Sequence, residues 1–175
     1  MCPHDSRSHT AALDELFPLF SEKLAQGGRV SFSPKGTSML PMLRVYGDTV
    51  TLKAPPARIK TGTVALFVSK NEDGSNKYIL HRLVRQKGEE LYFCGDHRRE
   101  FDPPAERADI VGVVESYVSR GREHTVRELP YRLYSRWMVL TARHRGAALK
   151  AQDAKSTFAR SQRSVLFIPP RYRRE

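Results

Sequence analysis

The sequence predicts a mainly β fold, a twisted antiparallel sheet or half-barrel with an N-terminal amphipathic helix and a basic helical C-terminal region. Six short segments between residues 29 and 118 carry the apolar patterns of β-strands. Clusters of Gly, Pro, Asn and Asp separate these segments, and no long helical pattern lies among them. Closely spaced strands without intervening helices are typical of antiparallel sheets.

The individual elements follow in chain order. Residues 10–26 carry apolar side chains at helical spacing, with Thr10 as the predicted N-cap and Pro18 as a kink. Gly27 and Gly28 are the predicted stop of this helix. The predicted strands are residues 29–32, 49–53, 63–69, 78–85, 91–94 and 110–117. Helical spacing returns over residues 130–160, where arginines surround an apolar stripe.

Composition and charge divide the chain into three predicted parts: an N-terminal helix over residues 1–28, a β domain over 29–118 and a basic helical extension over 119–175. The formal net charge is +11, and the 14 Lys/Arg and 4 Asp/Glu of residues 119–175 account for +10 of it. A region this basic attracts anionic lipid, nucleic acid or an acidic protein, and charge alone does not choose among them.

Composition also disfavours several classes of protein. Two cysteines, Cys2 and Cys94, are too few for a disulfide scaffold. Cys94, His97 and His81 lack the close paired spacing of a zinc site, so we predict no metal and no cofactor. No stretch approaches the roughly 18 apolar residues of a membrane-spanning helix, and the first residues lack a secretory signal pattern. We therefore expect a cytoplasmic or peripheral membrane protein without a transmembrane helix.

A candidate nucleophile lies in the segment Lys35-Gly-Thr-Ser-Met-Leu-Pro. Ser38 follows a predicted strand and opens a turn, where a hydroxyl can be exposed and backbone N–H groups can stabilise an oxyanion. Taken alone, a serine in this position could equally cap a helix. A nucleophilic role requires a general base beside the hydroxyl.

The candidate base is His81, which lies in the apolar strand pattern Tyr78-Ile-Leu-His-Arg-Leu. A histidine in such a strand is often a core residue, and it bears on catalysis only if folding brings it next to Ser38. Asp96 and Asp102 flank a later turn, and either could accept the other ring N–H of His81. Both are also ordinary loop residues, so the sequence leaves this choice open.

Taken in order, these segments resemble the signal peptidase I family and the related LexA-like self-cleaving repressors. The resemblance covers residues 29–118 and rests on four short motifs. They are Ser38-Met39-x-Pro41, Gly47-Asp48-Thr49-Val50, His81-Arg82, and Cys94-Gly95-Asp96 followed by Asp102 and Val111-Gly112-Val113-Val114. A histidine at the base position is similar to the eukaryotic, archaeal and spore-former branch, whereas the usual bacterial enzymes have lysine there.

The resemblance implies a serine endopeptidase that cleaves a precursor, signal or leader peptide after small side chains. It implies Ser38 as nucleophile, His81 as general base and Asp102 as the acid partner, six residues past Asp96 as in that branch. The residues implied to shape the site are Gly36, Thr37, Met39, Pro41 and Asp96. Some relatives use a hydroxyl two residues before the nucleophile; that position here is glycine, which leaves the adjacent threonine as the alternative donor.

Two other functions stay open. A LexA-like self-cleaving regulator would use a lysine base, and the candidate is Lys77, whose side chain is predicted on the same face of the strand as that of His81. Such a regulator would also need a helix-turn-helix domain and a linker, for which the 37 residues before Ser38 are too few. A non-enzymatic basic module would bind nucleic acid through arginines interleaved with Tyr131, Tyr134, Trp137 and Tyr172. Membrane-bound signal peptidases have spanning helices, and none is predicted here. One hypothesis is that the first helix and the basic extension hold the protein on an anionic membrane surface; the alternative is a cytosolic peptidase that acts on a specific precursor or leader peptide.

Overall fold

One antiparallel sheet of seven strands forms the body of the protein, and helical segments pack on it. The computed structural model describes residues 6–71 and 73–142, with side chains from residue 16 onward. The strands are β1 (Val30–Phe32), β2 (Thr49–Lys53), β3 (Val64–Lys70), β4 (Asn76–Lys87), β5 (Glu90–Cys94), β6 (Ile110–Ser119) and β7 (Arg122–Thr125). Helix α1 spans Ser6–Ala25, a 3-10 turn spans Arg107–Asp109, and α2 comprises residues 129–142.

The strand order is β1-β2-β6-β3-β4-β5, with β7 beside β6. Strand β2 pairs along one edge of β6, while β3 and β7 follow each other along the opposite edge. In the described residues the sheet is not closed into a barrel, and β1 and β5 are its two ends. The mainly β, antiparallel prediction is confirmed, and all six predicted strands occur with ends shifted by at most two residues.

Both faces of the sheet are covered, because successive side chains of a strand point to opposite faces. On β3, Val64 and Leu66 belong to a buried cluster that includes Phe17 and Leu24 of α1. The alternate β3 residues, Ala65 and Phe67, belong to a second buried cluster with Ile79, Leu83 and Phe93 of β4 and β5. Strands β3 and β4 are therefore held between two apolar layers. Side chains that project from these strands have a rigid support.

Helix α1 confirms the predicted N-terminal helix but begins at Ser6, so the prediction of Thr10 as its N-cap is wrong. The apolar spacing starts near residue 11, and the polar residues before it gave no pattern from which to extend the helix. The predicted stop is confirmed: Gly27 has a φ of 79°, and the N–H groups of Gly27 and Gly28 donate to Leu24 and Lys23. This is the hydrogen-bond pattern of a glycine C-cap.

Strand β7 was missed by the sequence analysis, and it continues β6 through a tight hairpin. Arg120 and Gly121 both have positive φ, 55° and 73°, as a two-residue hairpin turn requires. The buried carboxylate of Asp48 stabilises this turn by accepting hydrogen bonds from Ser119 Oγ at 2.7 Å and the Arg120 N–H at 3.2 Å. Burial alone would raise the pKa of Asp48, but these bonds and that of the Arg44 N–H lower it to about 2.

Helix α2 confirms the predicted C-terminal helix as far as residue 142; residues 143–160 of that prediction lie outside the described residues. One face of α2 is buried, through Tyr131, Ser135, Met138, Val139 and Ala142. The opposite face is apolar yet exposed, and it consists of Leu129, Leu133, Trp137 and Leu140. None of the helices in the described part of the chain is long and apolar enough to cross a membrane.

Candidate active site

His81 and Asp102 form a close pair beside the sheet. His81 lies on β4 opposite Ala65 of β3 and is 3% exposed. The Asp102 N–H donates to the Phe93 carbonyl at the end of β5, which places Asp102 Oδ2 2.5 Å from His81 Nδ1. Because a carboxylate can only accept, this contact requires a proton on Nδ1, and in the neutral imidazole Nε2 then carries the lone pair.

Ser38 lies in the turn that follows β1, at residues 38–42. Its carbonyl oxygen accepts a hydrogen bond of 2.8 Å from the His97 N–H, which ties the turn to the loop after β5. The next side chain, Met39, is buried in the cluster beneath α1. The turn is therefore anchored on both sides, while the Ser38 side chain stays half-buried.

Gly95 lies where the turn that contains Ser38 comes close to His81. A Cβ atom added at Gly95 would lie 2.6 Å from the Ser38 carbonyl oxygen and 3.0 Å from His81 Nε2. These two atoms are therefore at most about 5.6 Å apart, the sum of the two distances. A side chain at residue 95 would collide with both atoms unless the loop shifted, so this close approach favours glycine. The motif that contains Gly95 gave no sign of this role.

Ser38 and His81 line the same cavity, which has a volume of about 460 Å³. Within the described residues, no hydrogen bond joins the Ser38 hydroxyl to the His81 ring, and the Ser38 N–H has no protein acceptor. Lys77, the alternative base, lines this cavity as well. Folding thus brings the predicted nucleophile and both candidate bases to one cavity.

Asp96 does not contact His81 and instead neutralises Arg82, which is fully buried. Arg82 Nε and Nη2 donate to the two Asp96 oxygens at 2.7 and 2.6 Å. The hydroxyl of Tyr134, on α2, donates to Asp96 Oδ2 at 2.8 Å. Of the two aspartates that the sequence left open, Asp102 is therefore the one in contact with the histidine.

The remaining guanidinium hydrogens of Arg82 extend this network. Nη1 donates to the Gly62 carbonyl at 2.9 Å, to Ser135 Oγ at 3.0 Å and to the Tyr131 hydroxyl at 3.2 Å. Burial alone would lower the pKa of Arg82, but its pairing with Asp96 raises that pKa above the ordinary value. Burial and the neighbouring Asp96 carboxylate also raise the pKa of Tyr134. Helix α2 is thus attached to the sheet through a charged, hydrogen-bonded centre.

The other predicted site-shaping residues divide into two groups. Gly36, with a φ of 98°, and Met39 line the cavity. Thr37 and Pro41 are exposed and are not among the residues that line it.

The N-terminal half of β4 borders the cavity and pairs with a described strand on one edge only. Asn76–His81 pair with β3, whereas β5 pairs only with Arg82–Lys87. In the described chain, no strand covers the second edge of Asn76–His81. The five consecutive residues 77–81 all line the cavity, although their side chains alternate between faces, so the cavity runs along this edge.

No cluster of three or more His, Cys, Asp or Glu side chains in the described residues could hold a metal ion. Comparison of the chain with protein-family models, with curated proteins and with solved structures finds no match. The chemistry must therefore be inferred from the site itself. A hydroxyl and an imidazole on one cavity, with the imidazole held in one tautomer by a carboxylate, are the groups that acyl transfer requires.

Proposed function

We propose that the protein is a serine endopeptidase of the signal-peptidase type, which cleaves a precursor, signal or leader peptide. Ser38 is the nucleophile, His81 the general base and Asp102 the residue that orients the base. The observation that carries this proposal is the 2.5 Å contact between His81 Nδ1 and Asp102 Oδ2. The other ring nitrogen, His81 Nε2, lies at most about 5.6 Å from the Ser38 carbonyl oxygen. The motif resemblance of residues 29–118 supports the same reaction class.

The proposed reaction has two steps. His81 Nε2 takes the hydroxyl proton as Ser38 Oγ attacks the peptide carbonyl, and it then donates this proton to the leaving amine. Water, activated by the same ring, releases the acyl group. Because the hydroxyl and the ring are not hydrogen-bonded in the structure, the Ser38 side chain must approach the ring when substrate binds, as is common for catalytic hydrogen bonds.

Two further features support a peptide as the substrate. The Ser38 N–H has no acceptor among the described residues, so it is free to donate to the oxyanion of the tetrahedral intermediate. No described strand pairs with the second edge of Asn76–His81, and an extended peptide that added there as a strand would present a backbone carbonyl to the site.

The proposal is tested by labelling with a fluorophosphonate probe, which phosphonylates activated serine hydroxyls with loss of fluoride. We expect the full-length protein to be labelled and the Ser38→Ala variant to be unlabelled. Ser33→Ala is the matched control, because Ser33 lines the same cavity without a place in the mechanism. Labelling that survives Ser38→Ala would exclude Ser38 as the nucleophile and end the proposal.

The identity of the base is a separate question, because Lys77 and His81 both line the cavity. We favour His81 since Asp102 is in contact with its ring and would fix its tautomer, whereas Lys77 is exposed. His81→Ala should abolish peptide cleavage and probe labelling, and Lys77→Ala should retain most of both. The opposite pattern would assign the base to lysine, as in a LexA-like self-cleaving protein.

We further propose that the protein binds anionic membranes through the exposed face of α2. Leu129, Leu133, Trp137 and Leu140 are each more than half exposed on this face, and Arg132 and Arg136 are exposed beside them. An apolar stripe with tryptophan and flanking arginines suits the boundary between acyl chains and anionic headgroups. Flotation with phosphatidylserine vesicles should exceed flotation with phosphatidylcholine vesicles, and Trp137→Glu should reduce it. Equal flotation with both lipids would refute this proposal.

A further inference from the structure

The cavity beside Ser38 is larger than a small substrate side chain needs. Its volume of about 460 Å³ lies within the roughly 300–1,000 Å³ range of ligand pockets. A single water molecule occupies about 30 Å³ of liquid, so the cavity can hold a large side chain together with part of the adjoining backbone. The size of the cavity therefore bears on which substrate side chains can bind, which the motifs do not indicate.

The walls of the cavity are apolar and come from four separate elements. Phe17 and Phe20 of α1, Phe32 of β1, Leu66 of β3 and Leu80 of β4 all line it. The ring of Phe17 stacks on Tyr78 with centroids 3.5 Å apart, and Phe20 meets Phe17 edge-on at 5.3 Å. Because these walls are apolar and held in place by packing, they favour a ligand with an apolar surface that displaces water from the cavity.

Among the described residues that line the cavity, the charged side chains of Lys and Arg have one sign. They are Lys35, Lys77 and Arg98, and no described Asp or Glu lines it. Lysine and arginine side chains next to an apolar site favour a ligand that carries a carboxylate, because opposite charges attract more strongly near low-dielectric walls. A cationic ligand would be repelled from the same surface.

We infer that this cavity binds a segment of the peptide substrate in which a bulky apolar side chain lies next to an acidic residue. The inference rests on the proposed function, because Ser38 and His81 lie on the wall of the cavity. It departs from the small side chains that the motif resemblance implies. The apolar walls select the bulky side chain, and the cationic rim selects its acidic neighbour.

The test compares synthetic peptides that differ at one position at a time, using the full-length protein. Cleavage sites in a mixed decapeptide library are first located by mass spectrometry. Peptides with Leu or Phe at the selected position are then compared with the Ala peptide. We expect kcat/KM to be higher for Leu or Phe by about 10- to 100-fold, because each methylene buried in an apolar pocket contributes strongly to discrimination. Replacing the neighbouring Glu by Lys should lower kcat/KM by roughly 2- to 5-fold, and less at high salt.

Matched variants connect these preferences to the cavity. Leu16 and Leu19 are both exposed on α1, but only Leu16 lines the cavity. Leu16→Glu should reduce the preference for Leu over Ala in the substrate, and Leu19→Glu should leave it unchanged. In the same way, Lys35→Glu should abolish the preference for an acidic neighbour, and Lys87→Glu, far along β4 from the cavity, should not.

Binding to the Ser38→Ala variant separates this inference from the proposed function. Fluorescence anisotropy of a labelled peptide with Leu next to Glu measures occupancy of the cavity without cleavage. Tight binding of this peptide over its Ala counterpart, with no cleavage by the wild type, would support the inference and refute the peptidase. Cleavage that favours Ala would refute the inference and keep the peptidase. Cleavage that favours Leu without regard to its neighbour would overturn the acidic part alone.

Discussion

Replacement of Asp96 by asparagine should destabilise the protein far more than its distance from the nucleophile suggests. Asp96 is the carboxylate that neutralises Arg82, and the two side chains are 2% and 0% exposed. Asparagine replaces one acceptor oxygen by an NH₂ group, so one of the contacts at 2.6 and 2.7 Å becomes donor against donor. The guanidinium charge would then be buried without a counter-charge.

The expected loss is about 3–5 kcal/mol, the usual cost of breaking a buried ion pair by removing one partner. This is a large share of the roughly 5–15 kcal/mol that stabilises a typical domain. For a chain of this size, it corresponds to a fall in Tm of roughly 6–20 °C. Tyr134→Phe is the matched control, because it removes a single hydrogen bond to the same carboxylate and should cost about 1.5–3 kcal/mol.

Urea unfolding followed by fluorescence and circular dichroism measures this loss. The chain has a single tryptophan, Trp137 on α2, so fluorescence reports on the attachment of this helix, whereas circular dichroism also reports on the sheet. The double variant Arg82→Met/Asp96→Asn should recover part of the stability, because it removes both charges. A free energy of unfolding for Asp96→Asn within about 1 kcal/mol of the wild type would refute the reasoning.

Three other predictions follow from the same contacts. Asp102→Asn should lower kcat by roughly 10³- to 10⁴-fold, because His81 loses the acceptor that fixes its tautomer; near-normal turnover of the peptide would contradict the assignment. Asp48 has a folded-state pKa of about 2 against its ordinary 3.8. Its contribution to stability is therefore at most about 2.4 kcal/mol; it is present above pH 4 and is lost as the pH falls towards 2. Urea midpoints should fall over this window, and Asp48→Asn should be less stable at pH 5 but less sensitive to acid. Gly95→Ala should lower kcat/KM by roughly 100-fold, since its Cβ would meet the Ser38 carbonyl at 2.6 Å and displace the nucleophile; unchanged peptide cleavage would show that the loop adapts.

The strands of the sheet could be predicted because their apolar patterns are local. Strand β7 could not, since Arg122–Thr125 consists of polar residues whose pairing depends on β6 and on the hairpin at Arg120 and Gly121. The usual hairpin signal is Asn or Asp before glycine, and here arginine takes the first position. Its positive φ is accepted because Asp48, 72 positions earlier, binds the Arg120 N–H. A contact at that separation has no local signature.

The candidate site, like the sheet, could be predicted only where its signals are local in sequence. The types and order of its reactive residues could be predicted from motifs, but the choice between Asp96 and Asp102 depended on the path of a single loop. Asp102 is placed by its N–H bond to Phe93, and Asp96 is turned towards Arg82 and Tyr134. The apolar walls were not predicted either, because the phenylalanines of α1 show helical spacing whether they face a core or a cavity.

The loop between β5 and the 3-10 turn links three parts of the molecule that are distant in sequence. Gly95 leaves room for the turn that contains Ser38, the His97 N–H holds that turn, and Asp102 contacts the His81 ring. In the same loop, Asp96 binds Arg82, the residue after His81, and Tyr134 of α2. Loss of the α2 contacts should therefore disturb Ser38 and His81 together, since one short segment positions both. If the exposed face of α2 binds a membrane, the buried Arg82–Asp96 ion pair connects that membrane-binding surface with Ser38 and His81.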